Sequence, residues 1–270
     1  LIEGEVFKRE SVRSSFRKKL DKDFDARGDK YSTAATDSLV EILLDCSLNK
    51  EPLTLERLHG WHNCLFENKY SRLDRINIAE FRNHDDMEVV SGAIGFEKVH
   101  YKAVPLSKMD EDIENFLAYC NNSDENIYIK SAIAHLWFVS IHPYDDGNGR
   151  ISRAITDFIL SKQTLHTQFK LYSISTAINS DRKAYYDVLD KTTNLFKNRN
   201  FDITPWLEWH LNILKSAMID ALKNIEYLTE KTKFWDIHRK QALNERQLKV
   251  LNKILDIGAE NFEGGINTKK

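Results

Sequence analysis

His142-Pro143-Tyr144-Asp145-Asp146-Gly147-Asn148-Gly149-Arg150 leads directly into Ile151-Ser152-Arg153, and the rest of the chain is organised around this stretch. Its two glycines let backbone amides converge on phosphate oxygens, and helical periodicity starts immediately after them. A helix start supplies N–H groups without intrahelical partners and a favourable dipole, so the stretch reads as an anion site with a base, His142, beside it. The helix is inferred from Ile151, Ala154, Ile155, Phe158 and Ile159, which recur at helical spacing as one apolar stripe. Arg150 and Arg153 lie off that stripe and can present two guanidinium groups to one polyphosphate. Cations in a first turn oppose the helix dipole, which implies a counter-anion. Asp146 is a hard oxygen ligand suited to a Mg²⁺ shared with phosphates, and His142 can be neutral at pH 7.

These residues resemble the Fic motif, HPFx[DE]GN[GK]R, at every fixed position except the third. There Tyr144 replaces Phe; its ring can pack in the same way, but its hydroxyl needs a partner. The resemblance implies a mainly α fold, a Fic-type helical core with a short β-hairpin flap over the active site. It also implies a protein adenylyltransferase that moves AMP from ATP to a Ser, Thr or Tyr hydroxyl of a target protein, with Mg²⁺. In that reading His142 is the catalytic base and Asp146 the metal ligand. Gly147, Asn148 and Gly149 stabilise charge on the α-phosphate, while Arg150 and Arg153 hold the terminal phosphates. Tyr185, Tyr186 and Asn194 are the candidates for contact with the nucleotide base. Val99, His100 and Tyr101 form the flap edge that docks an extended target segment by strand addition.

Many Fic proteins also carry an inhibitory helix with the pattern [ST]xxxE[GN], whose Glu pairs with the motif arginine. Glu3-Gly4 matches the end of that pattern, so Glu3 is expected to close the site through a bidentate pair with Arg150. Other outcomes stay open within the family: transfer of UMP, phosphate or phosphocholine, or removal of AMP from a modified protein. A non-catalytic nucleotide-sensing regulator is the alternative outside enzymes. The arginines favour a triphosphate donor, and a complete set of His142, Asp146, Asn148 and Arg150 argues against a dead enzyme.

The 270 residues leave room for one large domain with appendages: an N-terminal helical region with the inhibitory segment (1–50), a catalytic core (51–215) and C-terminal helices (216–270). With 41% hydrophobic and 30% charged residues the chain reads as a soluble globular protein, and a net charge of −2 provides no global basic field for nucleic acid. Cys46, Cys64 and Cys120 lack the paired spacing of a zinc site or disulfide framework and are read as packing residues. No apolar run approaches the ~18 residues of a membrane span, and no signal peptide is visible, so no membrane partner and a cytoplasmic location are expected. Ten glycines and four prolines are few for this length and point to long helices.

The chain opens at Leu1 without an initiator Met and is read as an excerpt or a processed product. Residues 6–50 read as two or three helices, the first with a solvated basic face of Arg13, Arg17, Lys18 and Lys19. Thr54 is the expected N-cap of a helix carrying Leu55, Leu58, Trp61 and Leu65, on which His59 and His62 are ordinary interfacial histidines. Val89-Val90 and Val99-His100-Tyr101 flank a glycine-rich bend, as in a hairpin. Ser107 and Asp110 suggest a capping box. Residues 127–140 are apolar nearly all round, which predicts a central buried helix with His135 as a hydrogen-bonded core residue. Residues 171–175 read as a linker, with Asn179 or Ser180 capping the helix of Tyr185 and Tyr186. Pro205 opens a long amphipathic helix, a further helix runs through Phe234 and Trp235, and Asn244-x-x-Gln247 starts a last one that Gly258 stops. That tail resembles the opening helix of the winged helix-turn-helix that follows some Fic cores; any nucleic-acid contact would need a region absent from this sequence.

Overall fold

Short polar side chains set most of the helix starts in the computed structural model. It describes residues 7–25, 29–66, 76–85, 87–91, 98–162, 172–194 and 197–257, with backbone only for 88–91, 98–101 and 257. Helix α1 (Arg9–Leu20) precedes α2 (Ala34–Leu48), which opens on a reciprocal box between Thr33 and Thr36. The basic face of α1 is partly spent on α2: Lys18 pairs with Asp37 at 2.6 Å and Lys19 with Glu41 at 2.9 Å. Thr54 caps α3 (Leu55–Phe66), its hydroxyl accepting the Arg57 N–H at 3.3 Å.

Three caps differ from the sequence expectation. Helix α4 (Leu106–Asn122) has no side-chain cap from Ser107 and Asp110; its first N–H donates instead to Asp85 Oδ1 at 2.6 Å, from a residue far back in the chain. Residues 173–180, partly expected as linker, form α7 (Ile174–Ser180) under a Ser173 cap. Helix α8 (Arg182–Thr193) is capped by Asp181 rather than by Asn179 or Ser180. Asn126 caps α5 (Ile127–Ile141), and α6 (Asn148–Ser161) begins inside the glycine-rich stretch. Helix α9 (Thr204–His238) is continuous where two helices were expected, and Asn244 and Gln247 exchange hydrogen bonds at the start of α10 (Glu245–Ile257). Gly258 lies outside the described residues.

Helix α5 is the central element because it has no polar face to expose. Ala134, Phe138 and Ile141 join a core with Leu58, Trp61, Phe116, Ile151, Ile155 and Phe158 from α3, α4 and α6. Ala132 and Leu136 join a second core with Ile174, Ile178, Tyr185 and Trp206 from α7, α8 and α9. Each fully buried side chain of this size contributes about 1.5–3 kcal/mol over leaving it exposed. Helix α2 packs on α3 and α6, and the compact units are Leu1–Met218 and Ile219–Lys270. Cys46 and Cys120 are buried, Cys64 partly so, and no disulfide joins them.

Two strand segments, β1 (Glu88–Ser91) and β2 (Lys98–Lys102), pair antiparallel, with Glu88 opposite Lys102 and a register shift between Val89 and Val90. Residues 92–97, the side chains of Val99, His100 and Tyr101, and Glu3 fall outside what is described. Among the described residues no helix is long and apolar enough to cross a membrane.

Candidate active site

Helix α5 ends at His142, which turns left-handed with φ 51°. Its Nδ1 lies 3.2 Å from the Val139 carbonyl. A carbonyl only accepts, so Nδ1 carries the proton and Nε2 keeps a lone pair for use as a base. Burial lowers the pKa of His142 from 6.5 to about 4, and the nearby Arg82 charge adds to that; Val139 and Asp146 oppose it. The imidazole is therefore neutral at pH 7.

The chain then doubles back at Gly147, φ +86°, a conformation that only glycine adopts without strain. A Cβ there would meet Phe66 Cε2 at 3.2 Å and Leu65 Cδ1 at 3.3 Å. Gly147→Ala is accordingly expected to cost about 1–3 kcal/mol, read from the urea midpoint at constant m-value. Asn148 is buried, and both ends of its carboxamide close the loop: Oδ1 accepts the Tyr144 N–H at 3.0 Å and Nδ2 donates to the Tyr144 carbonyl at 2.7 Å. The second Nδ2 hydrogen is not used by that pair.

Tyr144 finds the partner its hydroxyl requires in His59 Nδ1, 3.1 Å away, and its ring stacks on His62 at 4.1 Å. His62 is more than an interfacial residue. Its Nδ1 accepts the Ala79 N–H at 3.0 Å, which fixes the proton on Nε2, and Nε2 donates to the Asp146 carbonyl at 3.0 Å. Nothing local in the sequence signals this, because Ala79 and Asp146 are both distant along the chain. Asp145 is held similarly, accepting the Asn77 N–H at 2.9 Å and facing His84 Nε2 at 3.2 Å.

Arg150 reaches back one turn, its Nη2 lying 3.1 Å from Asp146 Oδ2, and its guanidinium stands 4.8 Å from the Phe66 ring centroid. Asp146 Oδ1 accepts the Gly147 N–H at 2.5 Å. Among the described residues there is no cluster of three metal-capable side chains. Mg²⁺ is usually bound by one or two carboxylates together with substrate phosphates and water, and the lone carboxylate of Asp146 is compatible with that use. Arg153, on the same turn of α6, is 6% exposed.

The structure thus gathers His142, Asp146, Gly147, Asn148, Gly149, Arg150 and Arg153 at one junction of α5 and α6. Tyr185 is 3% exposed and packs against Trp206 and Trp209. Its hydroxyl lies 3.2 Å from His135 Nε2, and His135 Nδ1 lies 3.0 Å from Thr156 Oγ1 on α6. His135 is the hydrogen-bonded core residue anticipated. Tyr186 and Asn194, the other base-contact candidates, are half-buried, and Arg182 stands 5.7 Å from the Tyr186 ring centroid.

A model of the Fic/DOC family matches residues 52–160, which span α3 to α6. Among solved structures, the fold resembles a Fic family protein from Desulfovibrio desulfuricans G20, with TM-score 0.58 and 21% identity over 83% of this chain and 62% of that one. It also resembles a Fic domain containing signaling protein from Bacteroides thetaiotaomicron VPI-5482, with TM-score 0.55 and 18% identity over 82% and 80% of the two chains. A third is a fragment of Fic-1 from C. elegans, with TM-score 0.53 and 15% identity over 83% and 60%. The chain spans less than two thirds of the first and third of these, and at such identities the likeness concerns the fold.

Proposed function

We propose that this chain, whose residues 52–160 match the Fic/DOC family, transfers AMP from ATP to a hydroxyl side chain of a target protein, under inhibition by Glu3. The observation that carries the reading is His142: a neutral imidazole with its proton on Nδ1, mounted at the end of α5 beside the N-terminus of α6. Nε2 takes the proton of the target hydroxyl as its oxygen attacks the α-phosphorus. The new P–O bond forms while the bond to pyrophosphate breaks, and His142 returns its proton to solvent. Backbone amides from Gly147 to Gly149 and the remaining Asn148 amide hydrogen meet the charge on the α-phosphate. Arg150 leaves Asp146 to hold the terminal phosphates together with Arg153. Mg²⁺, bound by Asp146 with phosphate oxygens, would neutralise phosphate charge. Tyr186 and Asn194 would face the base, and the β2 edge at Val99, His100 and Tyr101 would register the target by strand addition. A cytoplasmic setting belongs to the same reading.

Glu3 enters as a competitor for Arg150, because a carboxylate in a bidentate pair occupies the guanidinium that the phosphates need. Glu3→Gly, incubated with ATP labelled at the α-phosphate and Mg²⁺, is expected to label itself at least about tenfold faster than the parent chain. Intact-mass analysis should find an AMP adduct. Absence of any label in Glu3→Gly would overturn the proposal in favour of a nucleotide-sensing regulator. A different adduct mass would reassign the transferred group to UMP, phosphate or phosphocholine.

A further inference from the structure

Arg82 is 2% exposed, and a buried guanidinium is costly unless its donors are used. Here they go to backbone carbonyls of three separate segments. Nε donates to His142 O at 2.9 Å, Nη1 to His84 O at 2.7 Å, and Nη2 to Val104 O. The Arg82 N–H adds a bond to Pro143 O at 2.8 Å. Val104 follows the end of β2, and Ala103 N–H donates to Met87 O at 3.0 Å where β1 begins. One side chain therefore joins the foot of the strand pair to the peptide of the base.

That peptide is not in a relaxed conformation. His142 is a non-glycine residue at φ 51°, a state that persists when its surroundings over-determine it. Arg82 holds its carbonyl, and the backbone at His142 sets the Cα–Cβ direction from which the ring projects. We propose that Arg82 is a positioning residue that fixes the left-handed turn at His142 and couples it to the β1–β2 pair, so that Nε2 is aimed at the hydroxyl of a segment docked on the strand edge. This rests on the AMP-transfer reading for its consequence in activity, and on geometry alone for its effect on His142.

The test uses Arg82→Lys in the Glu3→Gly chain, with Asp85→Ala as comparison. Lysine keeps the charge but gathers its three N–H donors on one nitrogen, which cannot span carbonyls of three separate segments. Asp85 ties the same junction to α4 without touching the motif loop. Arg82→Lys is expected to lower kcat for AMP transfer at least tenfold, with the Kd for Mg-ATP changed less than threefold and a shifted His142 imidazole ¹⁵N signature. Asp85→Ala should lower the Tm yet keep kcat within twofold of its parent. Unchanged kcat in Arg82→Lys, or equal losses of kcat in both variants scaling with the folded fraction, would overturn the proposal. If the parent chain transfers no AMP, that reading fails separately. The ¹⁵N spectrum then decides alone: an unchanged His142 signature in folded Arg82→Lys rejects the positioning role, and a changed one sustains it.

Discussion

Acidification from pH 7 to pH 5 is expected to destabilise the protein by several kcal/mol. His62 and His210 are buried and His142 is partly so, and desolvation is the first cause that lowers them, to about 4, about 3 and about 4 respectively. His135 is fully buried and is displaced in the same direction for the same reason. In the unfolded chain each titrates near 6.5. Above that pH both states hold neutral imidazoles and there is no penalty. Below it the unfolded chain binds protons that the folded chain refuses, so stability falls as pH drops from 6.5 towards 4. Each such histidine costs about 1.4 kcal/mol per pH unit in that window, or roughly 2 kcal/mol at pH 5. Three together reach about 6 kcal/mol, against a typical total of about 5–15 kcal/mol. Thermal melts followed by circular dichroism at pH 7, 6 and 5 should show a steep loss of Tm. A Tm constant across that range would contradict the burial of neutral histidines.

His142→Ala is expected to have the largest effect on activity. In the Glu3→Gly background it should reduce AMP transfer by about 10²–10⁴-fold, the usual worth of a positioned general base. The phosphates are assigned to α6, so affinity for Mg-ATP should change little, which calorimetric titration can measure. The same substitution also removes one of the acid-sensitive imidazoles. The variant should therefore lose less stability than its parent between pH 6.5 and pH 5, by about 1.4 kcal/mol per unit. Activity within tenfold of the parent would remove His142 from the role of base.

Features set by neighbours in sequence were legible without a structure. The apolar stripe from Ile151 to Ile159, the all-round apolarity of residues 127–140 and the Asn244–Gln247 exchange are local patterns, and each corresponds to an observed element. What escaped depends on residues far apart in the chain. Asp85 caps α4, His62 holds the Asp146 carbonyl, and Asn148 spends its carboxamide on Tyr144. Tyr185 read as a candidate nucleotide contact because adjacent aromatics look alike whether they face solvent or a second core; its neighbours Trp206 and His135 could not be read from the sequence. Arg82 gave no sign at all, since its worth lies in three carbonyls that only the fold brings within reach.

Helix α5 belongs to both hydrophobic cores, and His142 stands at its end. The proposed base is thus mounted on a rod gripped along opposite sides, while Arg150 and Arg153 belong to α6 and Asp146 to the loop before it. The second core holds no residue of the motif loop, so a cavity opened there is expected to shift α5 without touching that loop. Activity should therefore be a more sensitive reporter of core damage than unfolding is, because proton transfer tolerates a smaller displacement than the folded state does. A Leu136→Ala chain can be expected to remain folded at 25 °C and still turn over slowly, with its nucleotide affinity intact.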